Sequence, residues 1–256
     1  NNLNIIKLLP DHVANQIAAG EVIQRPASAV KEMLENALDA GATNIKLYVK
    51  DAGKTLLQVV DNGCGMSETD ARMSFERHAT SKINNAKDLF AIKTMGFRGE
   101  AMASIAAISH VDLKSKQIEN ELGTHIAIEG SKVKMQECCS CANGTSIAIK
   151  NLFFNVPARR NFLKSDKVET RHIIEQFSRI ALSNHNVSMS LYLNDVEHFH
   201  LGKSKKRQRI VNVIGYKSNQ KLVPIEEETT LVDLSGFIGK PEFCKRTRGE
   251  QYLFVN

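Results

Sequence analysis

At 256 residues, 42% hydrophobic and 24% charged, the chain has the make-up of an ordinary water-soluble globular protein. That length is enough for one large domain, or a medium domain plus a smaller one, with a core that needs no disulfide staples. A balance of 34 Lys and Arg against 28 Asp and Glu leaves +6, which permits phosphate-rich partners, while 6% aromatics and no Trp argue against a base-stacking platform for single strands.

In chain order, residues 3–9 form a short apolar stretch ended by Pro10. Asp11 reads as the cap of a helix running to Ala19 and stopped by Gly20. Pro26 and Ser28 open a second helix that carries through Asp39 to Gly41. Residues 44–49 and 56–60 are strand-like on either side of Asp51-Ala52-Gly53-Lys54, which predicts a hairpin, and Gly63 and Gly65 break the chain just after it. A helix is expected over 68–77, then a polar stretch over 78–86. The Gly-rich segment 96–100 leads into a small-residue helix through Ile108. Strand signals follow at 111–114, 125–129, 132–136 and 146–149, then an amphipathic helix over 168–182 and a strand over 187–193.

The one composition shift, GKSKKRQR over 202–209, reads as a domain linker, with contact to a DNA backbone through Lys203, Lys205, Lys206 and Arg207 as the sharper alternative. It divides the chain into residues 1–202 and 203–256. Strands are expected to predominate after it, ending in a strand over 252–255, so the second domain is expected to be incomplete. The longest apolar runs, such as 101–108, fall well short of a membrane span, and no signal-peptide pattern opens the chain. The expectation is a cytoplasmic, nucleoid-associated protein with no membrane partner. Five cysteines are present, and Cys138, Cys139 and Cys141 cluster, but no second Cys or His group lies at zinc-ligand spacing. They read as reduced thiols in a loop or strand.

The chemistry concentrates in four segments. Within 29–39, Val30, Met33, Leu34, Ala37 and Leu38 make one apolar face, and Glu32, Asn36 and Asp39 lie opposite. Asn is a costly choice in mid-helix. A carboxylate can take a proton from water and an amide oxygen can hold a hard cation, so the pair one turn apart suits an activated water beside a metal-bound phosphate. Asp61 ends a strand and is followed by Asn62-Gly63-Cys64-Gly65-Met66, which puts a carboxylate where the exocyclic amine of adenine can approach. Gly96, Phe97, Arg98, Gly99 and Glu100 offer backbone N–H groups to anionic oxygens ahead of a helix, without the GxxxxGK[ST] pattern of a P-loop. Asn143-Gly144-Thr145 brings a hydroxyl into a strand that could join the Asp61 end of a pocket.

Taken in this order, the four segments resemble the GHKL ATPases. The likeness sharpens to the MutL family of mismatch repair proteins through NQIAAGEV at 15–22, RPAS at 25–28, DAGA at 39–42, RHATSK at 77–82, GFRGEA at 96–101 and NVPARRNFL at 155–163. These motifs are long and specific, and they cover the chain closely to about Lys164.

The resemblance implies an α/β two-layer sandwich of the GHKL type, with helices on one face of a mixed sheet, followed by the start of a ribosomal-S5-like domain. It implies that Glu32 is the general base and that Asn36 holds magnesium. Asp61 would bind the adenine amine, with Gly65 giving room, Thr145 supporting it, and Met66, Asp39 and Ala40 contributing to the ATP site. Thr80, Ser81 and Lys82 match a lid over ATP, and Gly96 to Glu100 a phosphate loop. Arg159 and Arg160 join the basic residues assigned to DNA. The implied cofactors are ATP and magnesium. The implied partners are DNA, a mismatch-recognition protein of the MutS type, downstream repair enzymes and a second copy on ATP binding. The family supplies a lysine to the γ-phosphate from beyond a strand like 251–256, so slow hydrolysis is expected of this length of chain. Two other readings stand beside this one: another GHKL enzyme such as a gyrase-type topoisomerase subunit, and a nucleotide-independent DNA-binding scaffold.

Overall fold

The alternating segments assemble into one eight-stranded sheet in the computed structural model, which describes residues 10–76, 100–243 and 251–255. The strands are β1 (Asn44–Lys50), β2 (Leu56–Asp61), β3 (His110–Lys116), β4 (Gly123–Glu129), β5 (Lys132–Cys139), β6 (Gly144–Lys150), β7 (Ser188–Leu193) and β8 (Val196–Leu201). Their order is β5-β4-β3-β6-β2-β1-β7-β8, antiparallel throughout except for the parallel pair β1 and β7. The sheet is mixed, as expected.

Register turns the sequence alternation into continuous rows across the sheet. Leu191, Leu47, Val59, Ile147, Leu113 and Ile126 stand side by side on six adjacent strands. Two residues further along each strand lies a second apolar row: Leu193, Val49, Leu57, Ile149, Val111 and Ile128. Because strand side chains repeat every two residues, both rows face the same way. The helices cover that face.

Helix α1 (Asp11–Val22), α2 (Pro26–Asp39), α3 (Glu68–Met73), α4 (Ala101–Ala107), α5 (Pro157–Phe162) and α6 (Asp166–Ser183) supply the second layer. Val30, Met33 and Leu34 of α2, Ile105 of α4, and Ile173 and Phe177 of α6 join the strand rows in one core, each 2% exposed or less. Burying such side chains contributes roughly 1.5–3 kcal/mol apiece. Proline at the first position of α2, where its missing N–H has no intrahelical partner to lose, fixes where that helix begins. On the open face Tyr48 and Tyr192 stack at 4.8 Å across the β1–β7 register.

Several local expectations change. Helix α1 does not stop at Gly20 but runs on to Val22, since Ile23 N donates to Ala19 O at 2.8 Å across the glycine. Helix α3 is shorter than 68–77 and is capped by Ser67, whose hydroxyl accepts from Asp70 N. Helix α5 and strand β8 were not expected.

The basic run over 202–209 is only partly a connection. From Lys206 it is helix α7 (Lys206–Ile214), held to the sandwich by Arg209. This side chain is fully buried, and its guanidinium donates to main-chain carbonyls alone: Ala181 O at 2.8 Å, Val187 O at 2.7 Å, Gly202 O at 3.1 Å, Asn184 O at 3.2 Å, His185 O at 3.3 Å and Leu201 O at 3.5 Å. Burial lowers its pKa from the ordinary value. Ala181 and Asn184 are at the end of α6, where unpaired carbonyls carry negative partial charge and favour a cation. After α7 come a 3-10 segment (Tyr216–Lys221) and the hairpin β9 (Leu222–Glu228) and β10 (Asp233–Gly239). Residues 251–255 have no regular structure, contrary to the strand expected there. The apolar stretch at 3–9 lies outside the described residues.

Candidate functional site

One step beyond the apolar rows, the same face of the sheet turns polar. Met189 and Ile45 begin the third row, which continues as Asp61, Thr145, Ser115 and Thr124 on four adjacent strands. Asp61 is 9% exposed. Its Oδ1 accepts from Gly63 N at 2.8 Å, and the Thr145 backbone N–H also donates to it. Burial raises the carboxyl above its ordinary value, outweighing the two N–H donors that pull it down.

Ser115 ties this row together and is fully buried. Its Oγ accepts from Met66 N at 2.9 Å, lies 3.2 Å from Gly144 O and 2.9 Å from Thr145 Oγ1. One hydroxyl proton given to Gly144 O leaves two lone pairs for Met66 N–H and Thr145 O–H, so the group is fully satisfied. One buried hydroxyl thus ties β3 to β6 and to the Met66 loop. Nothing in the sequence reading singled out Ser115 or Thr124. The available signal was their phase, since Ser115 continues the alternation Val111, Leu113 with a hydroxyl where an apolar side chain belongs.

The loop from Asp61 to Met66 can form only with glycine at its close contacts. Gly65 has φ +68°, and a Cβ there would overlap the Lys116 carbonyl. Gly144, at φ +101°, would overlap Asp61 O in the same way. Across the loop, Cys64 N donates to Ala40 O at 2.9 Å, and Asn62 Oδ1 accepts from Thr43 N at 2.9 Å and Asn44 N at 2.8 Å. The C-terminal end of α2 is thus fastened to the Asp61 loop. That fixes Asp39 and Ala40 beside it, and the rest of the helix with them.

Farther up α2, Glu32, Glu35, Asn36 and Asp39 are all half-buried. Lys31 Nζ stands 3.7 Å from Glu32 Oε1 and 3.4 Å from Glu35 Oε1. Burial is the largest influence on Glu35 and raises its pKa, with Lys31 opposing. Glu32 lines a cleft of about 330 Å³ whose walls include Arg25, Ser28 and Lys31 from the α2 end and His172 and Gln176 from α6. The α6 contribution was not anticipated. Glu32 and Asn36, one turn apart on a helix anchored to Asp61, are oxygen donors of the kind a hard divalent cation takes.

Glu100 is half-buried at the start of α4, its carbonyl accepting from Ser104 N at 2.9 Å. Thr80, Ser81, Lys82, Gly96, Phe97, Arg98 and Gly99 lie outside the described residues. Among the basic candidates, Arg159 and Arg160 sit on α5, far along the chain from Lys203, Lys205, Lys206 and Arg207. Arg207 is committed to its own neighbourhood: it donates to Asn219 O at 2.6 Å and Asn219 Oδ1 at 3.0 Å, and stacks over Phe237 at 5.7 Å. Lys206 Nζ reaches Ser235 Oγ at 3.0 Å.

A family model described as a histidine kinase-, DNA gyrase B- and HSP90-like ATPase matches residues 24–150, which contain Glu32, Asn36, Asp61, Ser115 and Thr145. The DNA mismatch repair protein MutL of Flavobacterium psychrophilum is 64% identical over 253 residues, 99% of this chain and 41% of that protein. MutL of Bacteroides fragilis is 59% identical over the same length, covering 40% of its own chain. This chain therefore spans about two fifths of the length of such relatives. Among solved structures, the Aquifex aeolicus MutL ATPase domain complexed with ADP matches with a TM-score of 0.63 at 28% identity, over 80% of this chain and 73% of that one. The N-terminal domain of a DNA repair protein matches with a TM-score of 0.74 over 90% of this chain and 72% of that one. Its 22% identity speaks to fold alone.

Proposed function

The chain belongs to the MutL family of DNA mismatch repair proteins and carries their ATPase domain, and from that premise we propose that it binds ATP and hydrolyses it slowly as a nucleotide-driven clamp. The observation that carries this reading is the polar row Asp61, Thr145 and Ser115, set where the apolar face of the sheet gives out and glycines strip the loop to backbone. Asp61 accepts a hydrogen bond from the exocyclic amine of adenine, and Gly65 and Met66 border the base. The anchored helix α2 carries Glu32 and Asn36 toward the phosphates. Glu32 takes the proton from the attacking water. Asn36 would hold magnesium, which supplies neutralisation of phosphate charge when bound.

By family likeness, Thr80, Ser81 and Lys82 order over ATP, and Gly96 to Glu100 cradle the phosphates. ATP then acts as a switch ligand: differential affinity for a closed state favours pairing of two copies, and hydrolysis resets it. In this reading the clamp couples a MutS-type mismatch-recognition protein to downstream repair enzymes on DNA. Arg159, Arg160, Lys203 and Lys205 offer phosphate contacts, and residues 203–256 begin an S5-like domain. The protein works in the cytoplasm, at the nucleoid.

Titration of a fluorescent ATP analogue with and without magnesium tests the reading. Saturable, magnesium-strengthened binding that Asp61→Ala abolishes is expected. Absence of binding under both conditions sinks it in favour of a nucleotide-independent scaffold.

A further inference from the structure

Away from α2, a pair of thiols lies one strand beyond the polar row, at the end of β5. Strand β5 ends at Cys139, which stands opposite Gly123 on β4, and the chain then passes through Ser140 to Cys141. Gly123, opposite Cys139, leaves the place of its missing Cβ to the Cys141 sulfur, so the two thiols flank the same residue. Burial and the neighbouring Cys141 both push the Cys139 thiol above the ordinary thiol range. Both residues are half-buried, so small solutes reach them, whereas Cys138 on the alternate face is exposed. Among the described residues, no three Cys, His, Asp or Glu converge as metal ligands.

The contact on the other side of Cys141 gives the pair a use. A Cβ on Gly123 would lie 2.5 Å from Cys141 Sγ and 2.5 Å from Ser115 O. The sulfur therefore rests on a bare glycine backbone that also touches the main chain of Ser115, the residue that fixes Met66 N–H and Thr145 Oγ1. Moving the sulfur unpacks that seat.

We propose that Cys139 and Cys141 are a peroxide-sensitive dithiol whose oxidation to a disulfide loosens the Ser115 floor. The Cys141 thiolate attacks one peroxide oxygen, the O–O bond breaks, and a sulfenic acid forms with loss of hydroxide. Cys139 sulfur then attacks the sulfenic sulfur, the S–S bond forms, and hydroxide leaves and takes up the remaining proton. In sum, two thiols and one hydrogen peroxide give one disulfide and two waters, and a small dithiol reverses it. Closing the disulfide fixes the Cys141 sulfur on Cys139 and changes its packing against Gly123. Calling that floor the adenine end of a pocket rests on the function proposed above; the sulfur chemistry does not.

The test uses the whole chain treated with hydrogen peroxide, quenched and digested with trypsin. Peptide 135–150, which holds Cys138, Cys139 and Cys141, is expected to lose the mass of two hydrogens reversibly. Cys138→Ser should keep that loss, and Cys139→Ser or Cys141→Ser should abolish it. Loss that persists in Cys141→Ser, or a peptide that stays fully reduced, overturns the proposal. Hydrogen exchange in the peptide bearing the Met66 amide should quicken by about tenfold or more on oxidation. Unchanged exchange overturns the link to Ser115. Neither readout uses nucleotide, so binding of the ATP analogue by the reduced protein stands or fails separately.

Discussion

Ser115 and Thr145 face each other across the β3–β6 pair with their hydroxyl oxygens 2.9 Å apart, so the two strands meet there through a side-chain hydrogen bond instead of packed methyl groups. Replacing Ser115 with Ala takes a partner from the Met66 N–H and from the Thr145 hydroxyl in a half-buried place. The expected cost is about 1–3 kcal/mol of stability, read by urea denaturation, with weaker binding of the ATP analogue. Full stability and affinity in the variant would show that the row is packing only.

Glu32→Ala removes the proton acceptor and leaves the Asp61 end intact. Turnover should fall by about 100-fold to 10,000-fold while nucleotide affinity stays within a few-fold, a split that steady-state hydrolysis and equilibrium titration read separately. Hydrolysis at the parent rate would remove Glu32 from its assigned role. Asn36→Ala should instead weaken binding, and only when magnesium is present.

Asp61 gives a pH dependence with a definite sign. Burial raises its folded carboxyl above the ordinary 3.8, so the folded state binds the proton more tightly than the unfolded one. Its contribution to stability is therefore greatest below the unfolded value and is lost as pH rises through the folded one. Asp61→Asn should gain stability relative to the parent at neutral pH and flatten that part of the profile in thermal melts. Nucleotide binding should respond in the opposite sense, weakening on acidification from a higher pH than an ordinary aspartate would give. A pH-independent affinity across that range would argue against a carboxylate at the adenine amine.

Gly144→Ala tests the close approach behind the loop. At φ +101°, with Asp61 O in the way, the added methyl should cost at least about 1–3 kcal/mol and should disturb Asp61 more than the distant β9–β10 hairpin. Amide exchange mapped over both regions distinguishes a local effect from a general one.

Much of this was legible in the chain because the relevant signals are local. Helix α2 begins at Pro26 and ends at Asp39 as its proline and glycine predict, and β1 through β6 fall where alternation puts them. Asp61 and Thr145 stood out at a strand end and a strand start, and register places them opposite each other. What escaped depends on partners far apart in sequence. Ser115 gains meaning only beside Met66 and Thr145, and the wall of the Glu32 cleft comes from His172 and Gln176 on α6. Arg209 misled for the same reason. In a run of lysines and arginines it looks solvated, yet six carbonyls from other segments surround it.

Arg209→Lys makes that last point measurable. An ammonium has three donors on one nitrogen and cannot span carbonyls that a planar guanidinium reaches with two. The variant should lose more than about 2 kcal/mol in thermal or urea unfolding, and residues 202–205 should become more open to protease. Parent-like resistance would show that α7 is held by its apolar contacts alone.

The same side chain bears on how the protein can be divided. A cut in the basic stretch before α7 would look harmless from composition, but it would take away the cation that occupies the carbonyl end of α6 and the turn between β8 and α7. Those carbonyls would then have to find water inside the fold. A fragment ended at Gly202 should therefore be less soluble than one carried through α7 to Gly215.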